Sequence, residues 1–210
     1  MNPDFWQAAD KNAAANSWEF VDGEIRLVQP QGGKGSLVSR PLPPNFELSF
    51  DWRIQAKTNT GLKYRVRKYG SKYYGVEYQI IDDGPTASTK GSTAAIYDLS
   101  GPIAPKNLNP IGKWNTAKIV ANGPILRHYL NGDLISEITT LGPVWDSSLA
   151  VSKFWGLENF GHPVAGDRIM LTDHGGKAAY RNFRFAEIKT PSPPIAESST
   201  GPFLANGIRN

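Results

Sequence analysis

Apolar and polar residues alternate with a period of two along most of this chain. The clearest run is Phe46-Glu47-Leu48-Ser49-Phe50-Asp51-Trp52-Arg53-Ile54. Successive side chains of a strand point to opposite faces. The run therefore predicts a strand that buries Phe46, Leu48, Phe50, Trp52 and Ile54 and turns Glu47, Ser49, Asp51 and Arg53 the other way. Residues 18–21 and 24–28 read as two strands separated by Asp22-Gly23. Residues 115–121, 125–130 and 134–138 read as a meander joined at Asn122-Gly123 and Asn131-Gly132. Asn-Gly suits tight hairpins because both residues tolerate positive φ. The last predicted strands, 168–172 and 178–188, are joined through Asp173-His174-Gly175-Gly176. Residues 5–14 read as a short helix. Residues 84–92 and 99–112 are rich in Gly, Pro, Ser, Thr and Asn and read as long loops. Loops of that length in a compact domain are often functional.

Two segments carry the candidate chemistry. In Gly75-Val76-Glu77-Tyr78-Gln79-Ile80-Ile81-Asp82-Asp83-Gly84, strand alternation puts Glu77 and Gln79 on one face and Val76, Tyr78 and Ile80 on the other. In Gly61-Leu62-Lys63-Tyr64-Arg65-Val66-Arg67, it puts Lys63, Arg65 and Arg67 on one face against Leu62, Tyr64 and Val66. With their polar sides together, the two strands set a row of cations beside a carboxylate and a carboxamide. Such a face is either left in water or used as a binding surface.

Many short alternating strands without a strong helix predict two packed antiparallel sheets, an all-β sandwich. The 210 residues fit one such domain with extensions. The division is an N-terminal extension at 1–16, the sandwich at 17–188, and a Pro- and Ser-rich tail at 189–210. Hydrophobic content of 40% supports a core, and 21 glycines and 16 prolines suit many turns. A net charge of +4, spread along the chain rather than clustered, argues against nucleic acid as a partner. The absence of cysteine excludes disulfides and thiolate metal sites. No stretch is long and apolar enough to span a membrane, and the start lacks the pattern of a signal peptide. No Gly-rich loop stands between a strand and a helix, so no nucleotide cofactor is expected. No metal-ligand spacing such as H-E-x-x-H occurs, which leaves a divalent metal unsupported.

Seven segments in order resemble a known family. They are 46–54; Asn59-Thr60-Gly61-Leu62-Lys63-Tyr64-Arg65; Val76 to Asp83; Ala95-Ile96-Tyr97-Asp98; Gly112-Lys113-Trp114-Asn115-Thr116; Arg127-His128-Tyr129-Leu130-Asn131-Gly132; and Asp173-His174-Gly175 leading to Tyr180-Arg181-Asn182-Phe183. Together, over residues 17–188, they resemble the 3-keto-disaccharide hydrolase domain family, whose fold is the concanavalin A-like jelly roll. The resemblance implies a carbohydrate-active protein that works outside the cytoplasm on glycosides oxidised to a ketone at C3. A separate oxidoreductase would have to make that ketone. Thr172 stands where the family often has Gln before Asp-His-Gly, and Lys63 adds a cation to the polar strand face.

A 3-keto group acidifies the hydrogen on C2. Its removal leaves an enolate that expels the C1 substituent, and water can then add back. The route needs a base, an oxyanion stabiliser and a proton donor. Glu77 is the candidate base, Arg65 the stabiliser, and His174 the acid or a second base, since histidine titrates near neutrality. Gln79 and Tyr97 fit hydroxyl recognition. Lys63, Arg67, Asp82 and Trp155 complete the candidate carbohydrate-binding set.

Each residue also has a structural reading. Glu77 and Arg65 could form an ion pair on a wet sheet face. His128 is expected to be structural and His162 exposed. Asp82 and Asp83 precede Gly84-Pro85, where turn formation is the default. Two other functions remain open. Paired-carboxylate glycosidases carry acids at the spacing that here reads Glu77, Gln79, Asp82, but Gln79 cannot ionise, and Asp82 needs a bulge to share the face. A non-catalytic carbohydrate-binding module could stack Trp155, Phe154, Tyr73 and Tyr74 on sugar rings, with Trp52 and Trp114 expected in the core.

Overall fold

Glu77 sits on the outward face of one of two antiparallel sheets that pack against each other. The structure, a computed structural model, describes residues 3–10, 16–32, 34–191 and 193. The first sheet orders β1 (Trp6–Ala8), β4 (Leu37–Ser39), β11 (Arg168–Asp173), β6 (Asn59–Tyr69) and β7 (Lys72–Ile81). The second orders β10 (Asp133–Thr139), β9 (Ile125–Leu130), β8 (Asn115–Asn122), β5 (Phe46–Ile54), β12 (Ala178–Glu187), β3 (Glu24–Leu27) and β2 (Trp18–Val21). This is the all-β sandwich that the alternation predicts, with the jelly-roll fold that the resemblance implies.

The core lies between the sheets. All five apolar residues of β5 are buried, and they face Leu62, Tyr64, Val76, Tyr78 and Ile80 of the first sheet. Each large side chain removed from water stabilises by about 1.5–3 kcal/mol. The Asn131-Gly132 turn has both residues at positive φ, 49° and 99°, as a type I′ hairpin requires. At the neighbouring hairpin Asn122 pairs with Ile125, so the turn residues are Gly123-Pro124, one position later than expected.

Three departures matter. Within 5–14 the described residues form the end of a 3₁₀ turn, Pro3–Phe5, and then strand β1, while 11–15 lie outside the described residues. Trp6 is the reason: buried against Phe5 and Phe183, it serves as the anchor of an edge strand. A helix, α1 (Pro143–Ala150), occurs instead where none was expected, held by the buried Trp145. None of the described helices is long and apolar enough to cross a membrane.

The third departure is in β6. Tyr64 pairs with Val76, and the next pairing is Arg67 with Tyr74, so Arg65 and Val66 together oppose Gly75. This is a β-bulge, with Arg65 in the left-handed region at φ 49°. Alternation breaks there. Lys63 stays on the Glu77 face, Arg65 turns toward the second sheet, and Val66 joins Val38 and Met170 in a small outward apolar cluster.

Beyond β7, the segment 92–100 runs along the edge of the first sheet. Ala94 N donates to Gln79 O, Gln79 N to Ala95 O, and Tyr97 N to Glu77 O, at 2.9, 3.3 and 3.0 Å. Ile96 bridges to Tyr78 and to Ser100.

Candidate active site

The Glu77 carboxylate is 2% exposed and is held from three sides. The hydroxyl of Thr172, on β11, donates to Oε1 at 3.2 Å. His174 Nε2 is 3.7 Å from the same oxygen, and Lys63 Nζ is 3.8 Å from Oε2. To reach Thr172 the Glu77 side chain leans across Gly61 of the intervening strand. A Cβ at Gly61 would lie 2.7 Å from Oε1, so this approach requires glycine.

Beside the carboxylate is a cavity of about 170 Å³ lined by Asn59, Glu77, Gln79, Tyr97, Lys153 and His174. Gln79 Nε2 donates to Asn59 Oδ1 and Gly91 O at 3.4 and 3.3 Å. The Lys153 ammonium stands 4.3 Å from the centre of the Tyr97 ring. Its backbone N–H donates to Asp98 Oδ2 at 2.9 Å, which ties the loop after α1 to the segment that carries Tyr97.

His174 follows directly on β11, and its side chain is 39% exposed. Partial burial holds its pKa below the ordinary histidine value. Lys63 and Lys153 push the same way, and Glu77 opposes them. The imidazole is therefore neutral near pH 7 and able to accept a proton.

His128 has a different role. It is fully buried, with Nδ1 3.2 Å from both Ala94 O and Ala95 O and Nε2 2.9 Å from the Tyr64 hydroxyl. Two carbonyls at Nδ1 require the proton there, so Nε2 accepts from Tyr64. Burial pushes its pKa down to about 3. It is structural, as expected, and it fastens the Tyr97 segment from below.

The structure gathers Glu77, Gln79, Tyr97 and His174 around one cavity, with Lys63 against Glu77. It does not bring Arg65 or Arg67 there. Arg65 is 1% exposed and donates to Pro44 O, Gly161 O, Asn45 Oδ1 and Gly123 O, a tie between the sheets. Burial lowers its pKa to about 10, which leaves it charged. Arg67 clasps the Asp167 carboxylate at 2.9 and 2.8 Å and donates to Asn159 O and His162 O. The bulge at Arg65 is the cause of both displacements.

Asp82 also lies elsewhere. Its Oδ2 accepts from Lys57 N at 2.7 Å, and the residue lines a separate cavity of about 330 Å³ with Trp52 and Ile54. Trp155 is 65% exposed and does not line the Glu77 cavity. Phe154 is buried in a stack on Phe160, and Tyr74 packs against the core. Trp52 is in the core, but Trp114 is half-buried between the guanidinium groups of Arg53 and Arg181, at 4.6 and 4.0 Å. His162 is half-buried against the Trp145 edge rather than exposed.

Asn59 and Lys153 were not anticipated. Asn59 shares the parity of Gly61 and Lys63, so strand alternation alone could have placed it on this face. Lys153 lies in a loop far along the chain and carries no sequence signal.

Among the described residues, Glu77 is the one carboxylate lining this cavity. Asp173 is adjacent in sequence to His174 but turns the other way, where its Oδ2 accepts from Gln31 N at 2.5 Å. Among the described residues, no three His, Asp or Glu side chains converge as metal ligands.

Residues 2–186 match the model of the 3-keto-alpha-glucoside-1,2-lyase-like domain. A 3-keto-disaccharide hydrolase of Bacteroides thetaiotaomicron is 27% identical over 212 residues, covering 85% of this chain and 73% of that protein. A crystal structure of a "putative glycosyl hydrolase" from Parabacteroides distasonis superposes with a TM-score of 0.71 at 23% identity, covering 88% of this chain and 89% of the other. The exoplasmic/lumenal domain of VIP36 shares the fold at a TM-score of 0.54 and 11% identity, covering 92% and 88%.

Proposed function

The chain belongs to the 3-keto-alpha-glucoside-1,2-lyase-like domain family, and from that premise we propose that it cleaves the C1–O bond of glycosides bearing a ketone at C3. One observation carries the reading. Among the described residues, the cavity presents a single buried carboxylate, held between an ammonium and a neutral imidazole. Double-displacement glycosidases need two carboxyl groups roughly 5–5.5 Å apart. An enolate route needs only one base, with cations where the oxyanion forms.

Glu77 removes the C2 proton, and the C2–H electrons pass into the C2–C3 bond and onto the C3 oxygen. The Lys63 ammonium takes the place first expected of Arg65 as the stabiliser of that oxygen. Its side chain is 9% exposed, and Glu77 at 3.8 Å is its ionic partner among the described residues. That distance leaves its N–H groups free for a substrate oxygen. The enolate then re-forms the C3 ketone, a C1–C2 double bond appears, and the C1–O bond breaks. His174 receives the proton from Glu77 and hands it to the departing oxygen. Water adding across the new double bond, with a proton returned to C2, completes a net hydrolysis. Asn59, Gln79 and Tyr97 hold ring hydroxyls, and Lys153 adds positive potential.

The test is sugar release from a 3-keto-glucoside and from its unoxidised parent, each with and without a chelator, by the native protein and by Glu77→Gln. The keto form alone should be cleaved, and Glu77→Gln should lose about 10²–10⁴-fold in kcat. Equal cleavage of the parent, or full turnover by Glu77→Gln, overturns the proposal. Binding without turnover would assign the face to carbohydrate recognition.

A further inference from the structure

A second, larger recess of about 560 Å³ adjoins the Glu77 cavity on the same sheet face. His174 lines both, and Lys63 lines the larger one while its ammonium stands beside Glu77. In the proposed cleavage His174 protonates the departing oxygen, and His174 also lines this recess, so the leaving group has the recess beside it.

The recess is cationic. Lys34, Lys63 and Lys72 line it, with Asp10 the one acidic residue of the lining among the described residues. A fourth lysine, Lys68, stands 5.2 Å from the ring centre of Tyr73, which is also part of the lining. Lone lysines on a flat surface are individually solvated and attract little. Here Lys63 is almost completely buried beside Glu77, and the exposed Lys34 and Lys72 line the same concave space, whose walls focus the field of a charge more than a flat surface does. Such a field recognises a negative charge. The half-buried Tyr73 offers a flat apolar surface next to it.

Resting on the proposed cleavage of 3-keto-glycosides, we propose that the preferred substrates carry an anionic leaving group. That group is a carboxylate- or sulfonate-bearing sugar or aromatic alcohol, held by Lys34 and Lys72, while Lys63 stays with Glu77 and the C3 oxygen. The charge is selected on the leaving-group side of the scissile bond, so the released alcohol, not the keto-sugar, is the acidic product.

The experiment compares 3-keto-glucosides of 4-carboxybenzyl, 4-sulfobenzyl and 4-carbamoylbenzyl alcohol, which match in size. At low salt, kcat/KM for the two anionic substrates should exceed that for the carbamoyl substrate by about tenfold, falling toward equality as ionic strength rises. In the Lys34→Gln/Lys72→Gln double variant the anionic-to-neutral ratio should approach one. Equal kcat/KM for all three substrates at low salt overturns the inference while leaving the cleavage reading intact. If no keto-glucoside is cleaved, calorimetric binding of the unoxidised 4-carboxybenzyl and 4-carbamoylbenzyl glucosides still decides. Tighter binding of the carboxylate supports anion selection, and equal binding refutes it.

Discussion

Protonating His128 should loosen the segment that carries Tyr97. In the folded protein its pKa is about 3, whereas an unfolded histidine titrates near about 6.5. The folded value is depressed, so between these limits the unfolded chain binds the extra proton and stability must fall as pH falls. One bound proton is worth about 1.4 kcal/mol per pH unit, so lowering the pH from about 7 to about 4.5 should remove about 2–3 kcal/mol through this residue alone. For a chain of this size that is a drop in Tm of roughly 5–10 °C. The assay is denaturant or thermal unfolding across that range, on the native protein and on His128→Gln. Carboxylates also titrate there, so the difference between the two pH profiles is the quantity to read. The native protein should lose more stability on acidification than the variant. Parallel profiles would mean that the Tyr64, Ala94 and Ala95 contacts do not hold a neutral ring.

Four further outcomes follow from the geometry. Gly61→Ala places a Cβ 2.7 Å from Glu77 Oε1 and 2.8 Å from Tyr78 O. It should cost about 1–3 kcal/mol in denaturant unfolding and, by displacing the base, at least about tenfold in kcat. Arg65→Met leaves three carbonyl oxygens without this donor, while Asn45 Oδ1 keeps Gly123 N, and should destabilise by about 3–5 kcal/mol. Its turnover per folded molecule should stay near native, and a loss of turnover at unchanged stability would return Arg65 to the chemistry. With His174 acting from its neutral state, kcat/KM should rise with pH through a pKa below the ordinary histidine value and then level off, and His174→Gln should lose that limb. Trp155→Ala should change stability by less than about 0.5 kcal/mol and leave turnover of a small 3-keto-glucoside unaltered, since the ring is exposed and outside the cavity.

Strand alternation carried far because one face of each sheet is buried, which makes the period of two a strict requirement. It located β5, β9 and both ends of the Glu77 strand's core-facing row. It misplaced Arg65 and Arg67 because a bulge is a local decision of the backbone: nothing in Tyr64-Arg65-Val66 announces a left-handed residue. The interior interactions that stabilise it, four oxygens from Pro44, Asn45, Gly123 and Gly161, come from distant parts of the chain. The short strands β1 and β4 were missed because three residues give no period to detect. Lys153 shows the same limit, since its place beside Tyr97 depends on how a loop after α1 folds back. Glu77, Gln79 and His174 were legible because they stand on or directly beside strands that pair in register.

The anchoring of Tyr97 has a consequence for redesign. Residues 92–100 are fastened to β7 by main-chain hydrogen bonds and by the Thr93 hydroxyl at Ile81, with the His128 ring beneath Ala94 and Ala95. Of the flanking stretches, 101–112 is itself tied down, by Ile103 N to Ile135 O, by the buried Lys106 to Asp83 and by Gly112 N to Ile54 O, and Lys90 and Gly91 accept from Asp98 and Gln79, whereas 85–88 is mostly exposed. Loop length carries a low entropic cost, roughly 0.6 kcal/mol for each doubling. Insertions or grafted sequences within 85–88 are thus changes that the scaffold can absorb while Tyr97 keeps its register opposite Glu77. A library built there would vary the surface beside the Asp82 cavity, which Pro85 lines, with the proton-transfer residues held constant.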